Sequence, residues 1–388
     1  MSGINTNYVI RVLRTTLLCG AVSWGGQILA QTSSSTNEGY AYIGTLDKKL
    51  LVFDENKEEV VDEIQLKGVP RSTVLTNDQK TLVIMTTMMD IETVDLVNKK
   101  MTAHFSLSDE KSKPRIPRAG GSGVALDPTG RYMYATMRAS VRETDYYRME
   151  DAQFVTIDLQ AQKIVKSFPF PPDMDQGFGF GATYKVSPDG KLLYVFQENI
   201  LIFDLATFKQ VDEIEMSQPE YPGASPYRLN PADDPNNAGN VITSMVNVVD
   251  PVVHKTTFGV ATLDLTTRKS SFTPYGREIP TLGFLVSPDH TKAYSIMGSG
   301  VGENRGTEFW YWDLVNHKIV RKEPFEARPT FKFGMSGDGK KLYLYGAGST
   351  LEVFDAETLK SRKLIFLNKD TTTNLVTLAA NGSMRRGR

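Results

Sequence analysis

Cysteine is almost absent from this chain of 388 residues, in which Cys19 is the only one. A single cysteine cannot form an intrachain disulfide, and it cannot supply a cluster of thiolate ligands for a metal ion. Histidine is also scarce, since the chain has four and no two of them have the spacing of a metal-ligand pair. We therefore predict no metal site, and a fold that is stabilised by a large hydrophobic core instead of by cross-links.

An excess of either charge is missing as well. The chain has 44 Lys and Arg residues against 45 Asp and Glu residues, which gives a formal net charge of −1. Proteins that bind nucleic acids usually present a basic surface to the phosphates, so we expect no nucleic-acid partner. The one basic cluster, RRGR at residues 385–388, is interpreted as part of a frayed tail over residues 383–388.

The first 39 residues lack the strand patterns that follow them. Residues 1–14 contain Arg11 and Arg14 and no acidic residue, and the apolar stretch after them is too short to span a membrane comfortably. This pattern predicts a signal peptide over residues 1–30, with cleavage after Ala30, and a flexible spacer over residues 31–39. The mature protein would then be periplasmic or secreted, without cysteine and without a membrane span. An uncleaved membrane anchor and a lipid-modified Cys19 are the alternatives.

Residues 182–216 contain the clearest structural pattern in the chain. They divide into four short apolar segments, ATYKV, KLLYVFQ, ILIFDL and QVDEIEM, which are separated by turn-like sequences. In the two middle segments the apolar residues are almost continuous, which is typical of strands covered on both faces. Each segment is too short for a typical helix. The sequence therefore predicts a four-stranded antiparallel sheet here.

This unit recurs along the chain. An aspartate at the end of an apolar strand, followed by a polar turn and another strand, occurs seven times, at Asp54, Asp95, Asp158, Asp204, Asp264, Asp313 and Asp355. The successive gaps are 41, 63, 46, 60, 49 and 42 residues. We interpret these aspartates as structural, because a carboxylate at the start of a turn accepts hydrogen bonds from backbone N–H groups two residues on.

A period of about 40 to 50 residues with four strands in each unit is typical of a β-propeller. We predict an all-β domain over residues 40–382, a seven-bladed β-propeller with four antiparallel strands in each blade. The first unit lacks an innermost strand, whereas residues 374–378 form an apolar segment with no partner of their own. The C-terminal strand is therefore expected to complete the first blade and close the ring.

The long insertions are expected on one face of this disc. Connections between strands one and two and between strands three and four lie on one face, and they are mostly tight turns. The other face receives most of the long segments, which are residues 107–121, 137–152, 170–181, 217–227 and 298–308. Because binding residues concentrate on loops held by a rigid scaffold, we predict that a functional site lies on this long-loop face.

Arginines recur near the predicted start of the innermost strands, at Arg71, Arg118, Arg228, Arg277 and Arg328. One interpretation is structural, with each guanidinium donating hydrogen bonds to loop carbonyls of the next blade. The other is a positive funnel at the mouth of the central channel that binds an anionic ligand, because arginine presents a rigid fork that matches carboxylate or phosphate.

The long loop of the third blade is the predicted partner-binding segment. It contains Arg138, Arg142, Tyr146 and Tyr147, and Arg and Tyr are enriched at protein interfaces. No catalytic group is identified by the sequence. A hydrolytic site would require His254, or an acid such as Glu303, to meet one of the channel arginines in a pocket.

The aligned units, with the pattern SPDGKLLYV followed by ILIFDLATFKQVDEIEM, resemble the YVTN-type propeller repeat. Together with the predicted signal peptide and the closing segment TNLVTLAANG, the chain also resembles the large-chain family of periplasmic quinoprotein amine dehydrogenases. That resemblance implies a scaffold that lines a substrate entrance, with the cofactor carried by a small partner subunit and none in this chain.

Three hypotheses of different classes follow. The first is a non-catalytic exported propeller that binds a partner protein or a small ligand, such as an anion, on its long-loop face. The second is the large subunit of a quinone-dependent amine dehydrogenase, which a small cysteine-rich partner chain would identify. The third is a propeller hydrolase that resembles a lactonase. The fold itself hosts many functions and does not choose among them.

Overall fold

The computed structural model describes residues 39–108, 112–115, 124–170, 182–216, 225–233, 239–250, 252, 254–299, 306–326, 331–346 and 349–378. The predicted signal peptide and basic tail lie outside these residues, as do residues 31–38 of the spacer. Within the described residues, no helix has the length and apolar character needed to cross a membrane.

The strands form seven separate antiparallel sheets, which are the blades of a β-propeller. Blades one and two, from the innermost strand outward, consist of β29 (Val376–Thr377), β1 (Tyr40–Thr45), β2 (Lys49–Asp54) and β3 (Glu59–Gln65), and of β4 (Pro70–Leu75), β5 (Thr81–Thr86), β6 (Asp90–Asp95) and β7 (Lys100–Ser106). Blades three and four consist of β9 (Val124–Leu126), β10 (Tyr132–Arg142), β12 (Gln153–Asp158) and β13 (Lys163–Pro169), and of β14 (Thr183–Val186), β15 (Leu192–Phe196), β16 (Ile200–Asp204) and β17 (Lys209–Ile214).

The remaining three blades follow the same order. Blade five consists of β18 (Val241–Asp250), β19 (Lys255–Asp264) and β20 (Lys269–Arg277), preceded by a 3₁₀ helix (Pro231–Asp233). Blades six and seven consist of β21 (Thr281–Val286), β22 (Lys292–Ser299), β23 (Gly306–Asp313) and β24 (Lys318–Phe325), and of β25 (Lys332–Met335), β26 (Lys341–Tyr345), β27 (Thr350–Asp355) and β28 (Ser361–Phe366). The predicted seven-bladed, all-β architecture is confirmed.

Ring closure by the C-terminal segment is also confirmed. Strand β29 pairs antiparallel with β1, so that the innermost strand of blade one comes from the far end of the chain. The hydroxyl of Thr373, just before β29, accepts a 2.8 Å hydrogen bond from the amide of Gly44. The amide of Leu375 donates a 2.7 Å hydrogen bond to the hydroxyl oxygen of Tyr345 in blade seven. The segment thus binds both of the blades that meet at the closure.

Hydrophobic clusters occupy the seams between blades. Seven clusters of buried residues are found among the described residues, and each joins two neighbouring blades. The cluster at the closure, for example, packs Leu51 and Phe53 of blade one against Tyr343 and Val353 of blade seven. Both faces of the middle strands are therefore covered, as the continuous apolar segments predicted.

The seven repeated aspartates end the third strands and accept backbone hydrogen bonds in the turns that follow, which confirms their structural role. In blade three, Asp158 accepts hydrogen bonds of 2.9 and 3.0 Å from the amides of Gln160 and Ala161. Four residues after each aspartate the chain adopts a positive φ without a glycine; these residues are Glu58, Lys99, Gln162, Phe208, Arg268, His317 and Leu359. The turn geometry therefore imposes a left-handed conformation on ordinary side chains.

Blades three and five differ from the expected four regular strands. In blade three, β8 (Ser112–Arg115) and β11 (Tyr147–Met149) pair with the long strand β10 and enlarge the sheet. In blade five, residues 225–230 run beside β18 without forming a described strand. Pro226 and Pro231 have no N–H to donate to a ladder, and Ser225 and Ser244 supply side-chain hydrogen bonds to β18 and to this segment instead.

Candidate functional site

A cavity of about 550 Å³ occupies the centre of the ring. Its wall is formed by the innermost elements of all seven blades, namely β4, β9, β14, β21, β25, β29 and, in blade five, the 3₁₀ helix. This arrangement follows directly from the propeller topology, because each blade presents its first strand to the axis. The cavity has the size of small-molecule binding sites, which are typically about 300–1,000 Å³.

The charged residues among the described lining residues are Lys185 on β14 and Lys332 on β25; none of the described lining residues is Asp, Glu, His or Arg. Lys332 donates hydrogen bonds from Nζ to the carbonyl oxygens of Thr373, at 2.8 Å, and Thr372, at 3.4 Å. Its ammonium group is therefore fixed beside the segment that closes the ring. Neither lysine stands out in the sequence, because a lysine within a strand has no distinguishing pattern, unlike the arginines that recur near the predicted strand starts.

Apolar side chains and polar groups share the remaining wall. Val74, Leu285, Phe331 and Leu375 line the cavity and are only partly buried, so they present apolar surface to it. Two tyrosines in the wall have hydrogen-bond partners within the protein, since the hydroxyl of Tyr184 bonds that of Thr136 and Tyr345 accepts from Leu375. Burial raises the pKa of both tyrosines above the usual value, so their hydroxyls stay protonated at neutral pH.

The described arginines of the predicted funnel do not line this cavity. Arg71 is the extra residue at a register shift in β4, and its Nη1 donates to the sulfur of Met89 at 3.4 Å. Arg228 is exposed and forms a 3.1 Å ion pair with Glu198. Arg118 and Arg328 lie outside the described residues.

The placement of Arg277 at the start of an innermost strand requires correction. Arg277 is the last residue of β20, the outermost strand of blade five, and it pairs with Thr257 on β19. The innermost strand of blade six begins four residues later, at Thr281. The sequence GREIPTLG contains both a strand end and a strand start, and the residue pattern alone did not separate them.

The long loop of blade three is an ordered β-ribbon. Strand β10 continues past the blade to Arg142 and turns back as β11, with Arg142 opposite Tyr147 and Arg138 opposite Arg115 of β8. At the tip, Tyr146 and Tyr147 are 62% and 61% exposed, and Met149 is 52% exposed. All four residues predicted for partner binding therefore belong to one projecting element, Arg138 near its base and the tyrosines at its tip.

Large exposed apolar side chains are distributed unequally between the two faces. The long-loop face carries the links between strands two and three and between blades, and the short-turn face carries the others. Of the exposed large apolar residues described, eight lie in links or strand ends of the long-loop face: Leu46, Met88, Tyr146, Tyr147, Met149, Val249, Val252 and Phe366. Two, Val241 and Val315, lie on the short-turn face. An excess of exposed apolar side chains on one face is typical of an interaction surface.

The residues considered for hydrolysis do not meet in the cavity. His254 is exposed in the link between β18 and β19, has a φ of 48°, and is not among the cavity-lining residues described. Glu303 lies outside the described residues. In the part of the chain that the structure describes, no group of three or more His, Cys, Asp or Glu side chains is arranged to hold a metal ion.

A buried carboxyl group lies at the seam between blades one and seven. Glu55, in the turn after β2, is 5% exposed and accepts hydrogen bonds from the amide of Gly337, at 3.2 Å, and from the hydroxyl of Tyr343, at 3.0 Å. Burial raises the pKa of this carboxyl from 4.5 to about 7, although the two hydrogen bonds act in the opposite direction. Sequence reasoning missed this group, since ENKE is an ordinary turn sequence.

Comparison with known proteins identifies the fold without a family. No protein-family model and no curated protein matches the chain. Similar solved structures include a functionally unknown protein from Desulfotomaculum acetoxidans DSM 771, at 11% identity and a TM-score of 0.54, covering 89% of this chain and 100% of that one. The dihydro-heme d1 dehydrogenase NirN in complex with DHE is 12% identical, with a TM-score of 0.50 and coverage of 87% and 74%. Kuenenia stuttgartiensis hydrazine synthase is 16% identical, with a TM-score of 0.46 and coverage of 74% and 77%. The first two structures, with TM-scores of 0.54 and 0.50, show a common fold and nothing more.

Proposed function

We propose that this protein is an exported propeller scaffold that binds a partner protein on its long-loop face. The observation that carries the proposal is the unequal distribution of exposed large apolar side chains among the described residues, with eight on that face and two on the other. Single exposed apolar residues are normal on a protein surface, whereas several of them on one element, as at Tyr146, Tyr147 and Met149, are typical of a binding surface.

The β-ribbon of blade three is the predicted centre of the interface. Tyr146, Tyr147 and Met149 are aromatic or sulfur-containing side chains, of types that are enriched at interfaces. Within the ribbon, β10 pairs with β11 on one side and with β8 on the other, and Arg148 forms ion pairs with Glu143 at 3.3 Å and Glu150 at 3.6 Å. Its tip is therefore pre-organised, which reduces the entropy lost on binding.

The test compares three versions of the mature protein, tagged at the C-terminus and recovered from the periplasm of the native host. The first is the wild type, the second carries Tyr146→Ser, Tyr147→Ser and Met149→Ser, and the third carries Val241→Ser and Val315→Ser on the opposite face. We expect a protein that co-elutes with the wild type and the third version and is lost from the second. Its affinity, measured with purified components, should fall at least tenfold in the second version, because aromatic residues dominate interface energetics.

Two results would contradict the proposal: equal capture by all three versions, or no specific partner at physiological salt. Absorption spectra of the co-eluting chain add a further distinction. A small cysteine-rich chain with a quinone absorption band would support the amine dehydrogenase hypothesis and make this face a subunit interface.

A further inference from the structure

We propose that the central cavity is a second binding site, for a small organic anion with an apolar body, and that Lys185 and Lys332 recognise the anionic group. This site is distinct from the long-loop face, and the proposal does not depend on a partner protein.

The described charged residues in the wall of the cavity are positively charged. The charged side chains among the described lining residues are both cations, on a molecule whose formal net charge is −1. Both lysines are only partly exposed, at the centre of a ring of strands. Charges at the centre of a ring of strands interact more strongly than charges in bulk water, so this wall favours an anionic ligand. A cationic ligand would meet repulsion from both lysines.

The two lysines lie in blades on different sides of the ring. Lys185 belongs to blade four and Lys332 to blade seven, which are three blades apart in a ring of seven. The two positive charges therefore reach the cavity from nearly opposite sides. The hydrogen bonds of Lys332 to the carbonyls of Thr372 and Thr373 fix one of these charges in place, which favours pre-organised binding.

The rest of the wall defines the body of the ligand. Val74, Leu285, Phe331 and Leu375 provide apolar surface within a volume of about 550 Å³. Small-molecule sites commonly combine such a wall with a few polar groups that orient the ligand. A carboxylate or sulfonate attached to an aromatic or aliphatic group fits this combination, whereas a bare inorganic ion would leave the apolar wall in contact with water.

The test uses two probes that differ in charge and hardly in shape, 2-naphthoate and 2-naphthamide. Isothermal titration calorimetry with the mature protein should show naphthoate binding at least tenfold more tightly than naphthamide. In Lys185→Gln the ratio should fall at least threefold, and in the double variant with Lys332→Gln it should approach one. The matched control is Lys191→Gln, which removes an equal charge from a side chain that is 77% exposed; there the ratio should be unchanged.

Naphthamide binding as tight as naphthoate would overturn the proposal, and so would a ratio that survives in the double variant or falls equally in Lys191→Gln. No measurable naphthoate binding by the wild type would also overturn it. Because Lys332 contacts the closing segment, its replacement can weaken the fold, so thermal unfolding of each variant is measured first. If the double variant is not folded, Lys185→Gln alone decides, since Lys185 lies in blade four, whereas the closing segment joins blades one and seven.

Discussion

The buried carboxyl of Glu55 leads to the most quantitative prediction, which concerns how the stability of the ring closure depends on pH. The perturbation is Glu55→Gln, which keeps the size of the side chain and removes its ionisation. In the wild type the pKa is raised to about 7 in the folded protein, against 4.5 for the exposed group. Between these two pH values the folded protein holds a proton that the unfolded chain has released.

The direction of the pH dependence follows from this difference in proton binding. Since Glu55 binds more protons in the folded state in this range, its contribution to the free energy of unfolding falls as pH rises from about 4.5 to about 7. A pKa difference of this size corresponds to about 3 kcal/mol, at about 1.4 kcal/mol for each pH unit. The group is therefore compatible with full stability below pH 4.5 and destabilising above pH 7.

The assay is urea unfolding of the wild type and of Glu55→Gln at pH 4.5 and pH 8. We expect the loss of unfolding free energy between these pH values to be smaller in the variant by about 3 kcal/mol. The variant presents an amide nitrogen to one of the two donors, Gly337 or Tyr343, and this lowers its stability at every pH. Comparing the change in unfolding free energy between the two pH values therefore removes this cost. Glu357→Gln, at an exposed position of blade seven, controls for the loss of one carboxylate. An identical pH dependence in the wild type and Glu55→Gln would refute the reasoning.

Two further predictions concern the closure and the turns. Deletion of residues 367–388 removes β29 and the buried side chains of Leu367 and Leu378, so it should lower the free energy of unfolding by more than about 3 kcal/mol and promote aggregation at the exposed edge of β1. Deletion of residues 383–388 alone should have neither effect. Thermal unfolding and size-exclusion chromatography measure both effects, and equal behaviour of the two deletions would show that β29 does not close the ring. Gln162→Gly should raise the free energy of unfolding by up to about 1 kcal/mol, because Gln162 has a φ of 57° that glycine adopts without strain. Gln160 lies in the same turn without a positive φ, so Gln160→Gly should lower the free energy of unfolding by about 0.5–1 kcal/mol. A loss of stability in both variants, measured by urea unfolding, would argue against strain at Gln162.

The repeat made most of the fold predictable. The seven aspartates and the continuous apolar segments depend on local physics, since a turn needs hydrogen-bond acceptors and a strand that is covered on both faces needs apolar residues throughout. These requirements recur in every blade, so each copy supported the interpretation of the others. The missing inner strand of the first unit and the unpartnered residues 374–378 even indicated how the ring closes.

The candidate sites were less predictable, because they depend on where strands end relative to one another. Arg277 was assigned to the start of one strand although it ends another, a difference of four residues that moves it from the innermost strand to the outermost. Lys185 lies in the middle of a strand, where the sequence ATYKV gives no reason to single it out. The loop of blade three was predicted as an interface from its composition, but its β-ribbon also pairs with β8, which precedes it by more than twenty residues.

The sequence by itself determined the blade, the number of blades and the face that carries the long loops, because each of these follows from short-range patterns repeated along the chain. Only the tertiary structure decided which side chains share a wall. Lys185 and Lys332 are 147 positions apart in sequence, and Glu55 and Tyr343 are separated by 288. Such pairs meet because a closed ring brings every first strand to one axis and joins the last blade to the first. Neither condition can be recognised in the local sequence around the residues that it brings together.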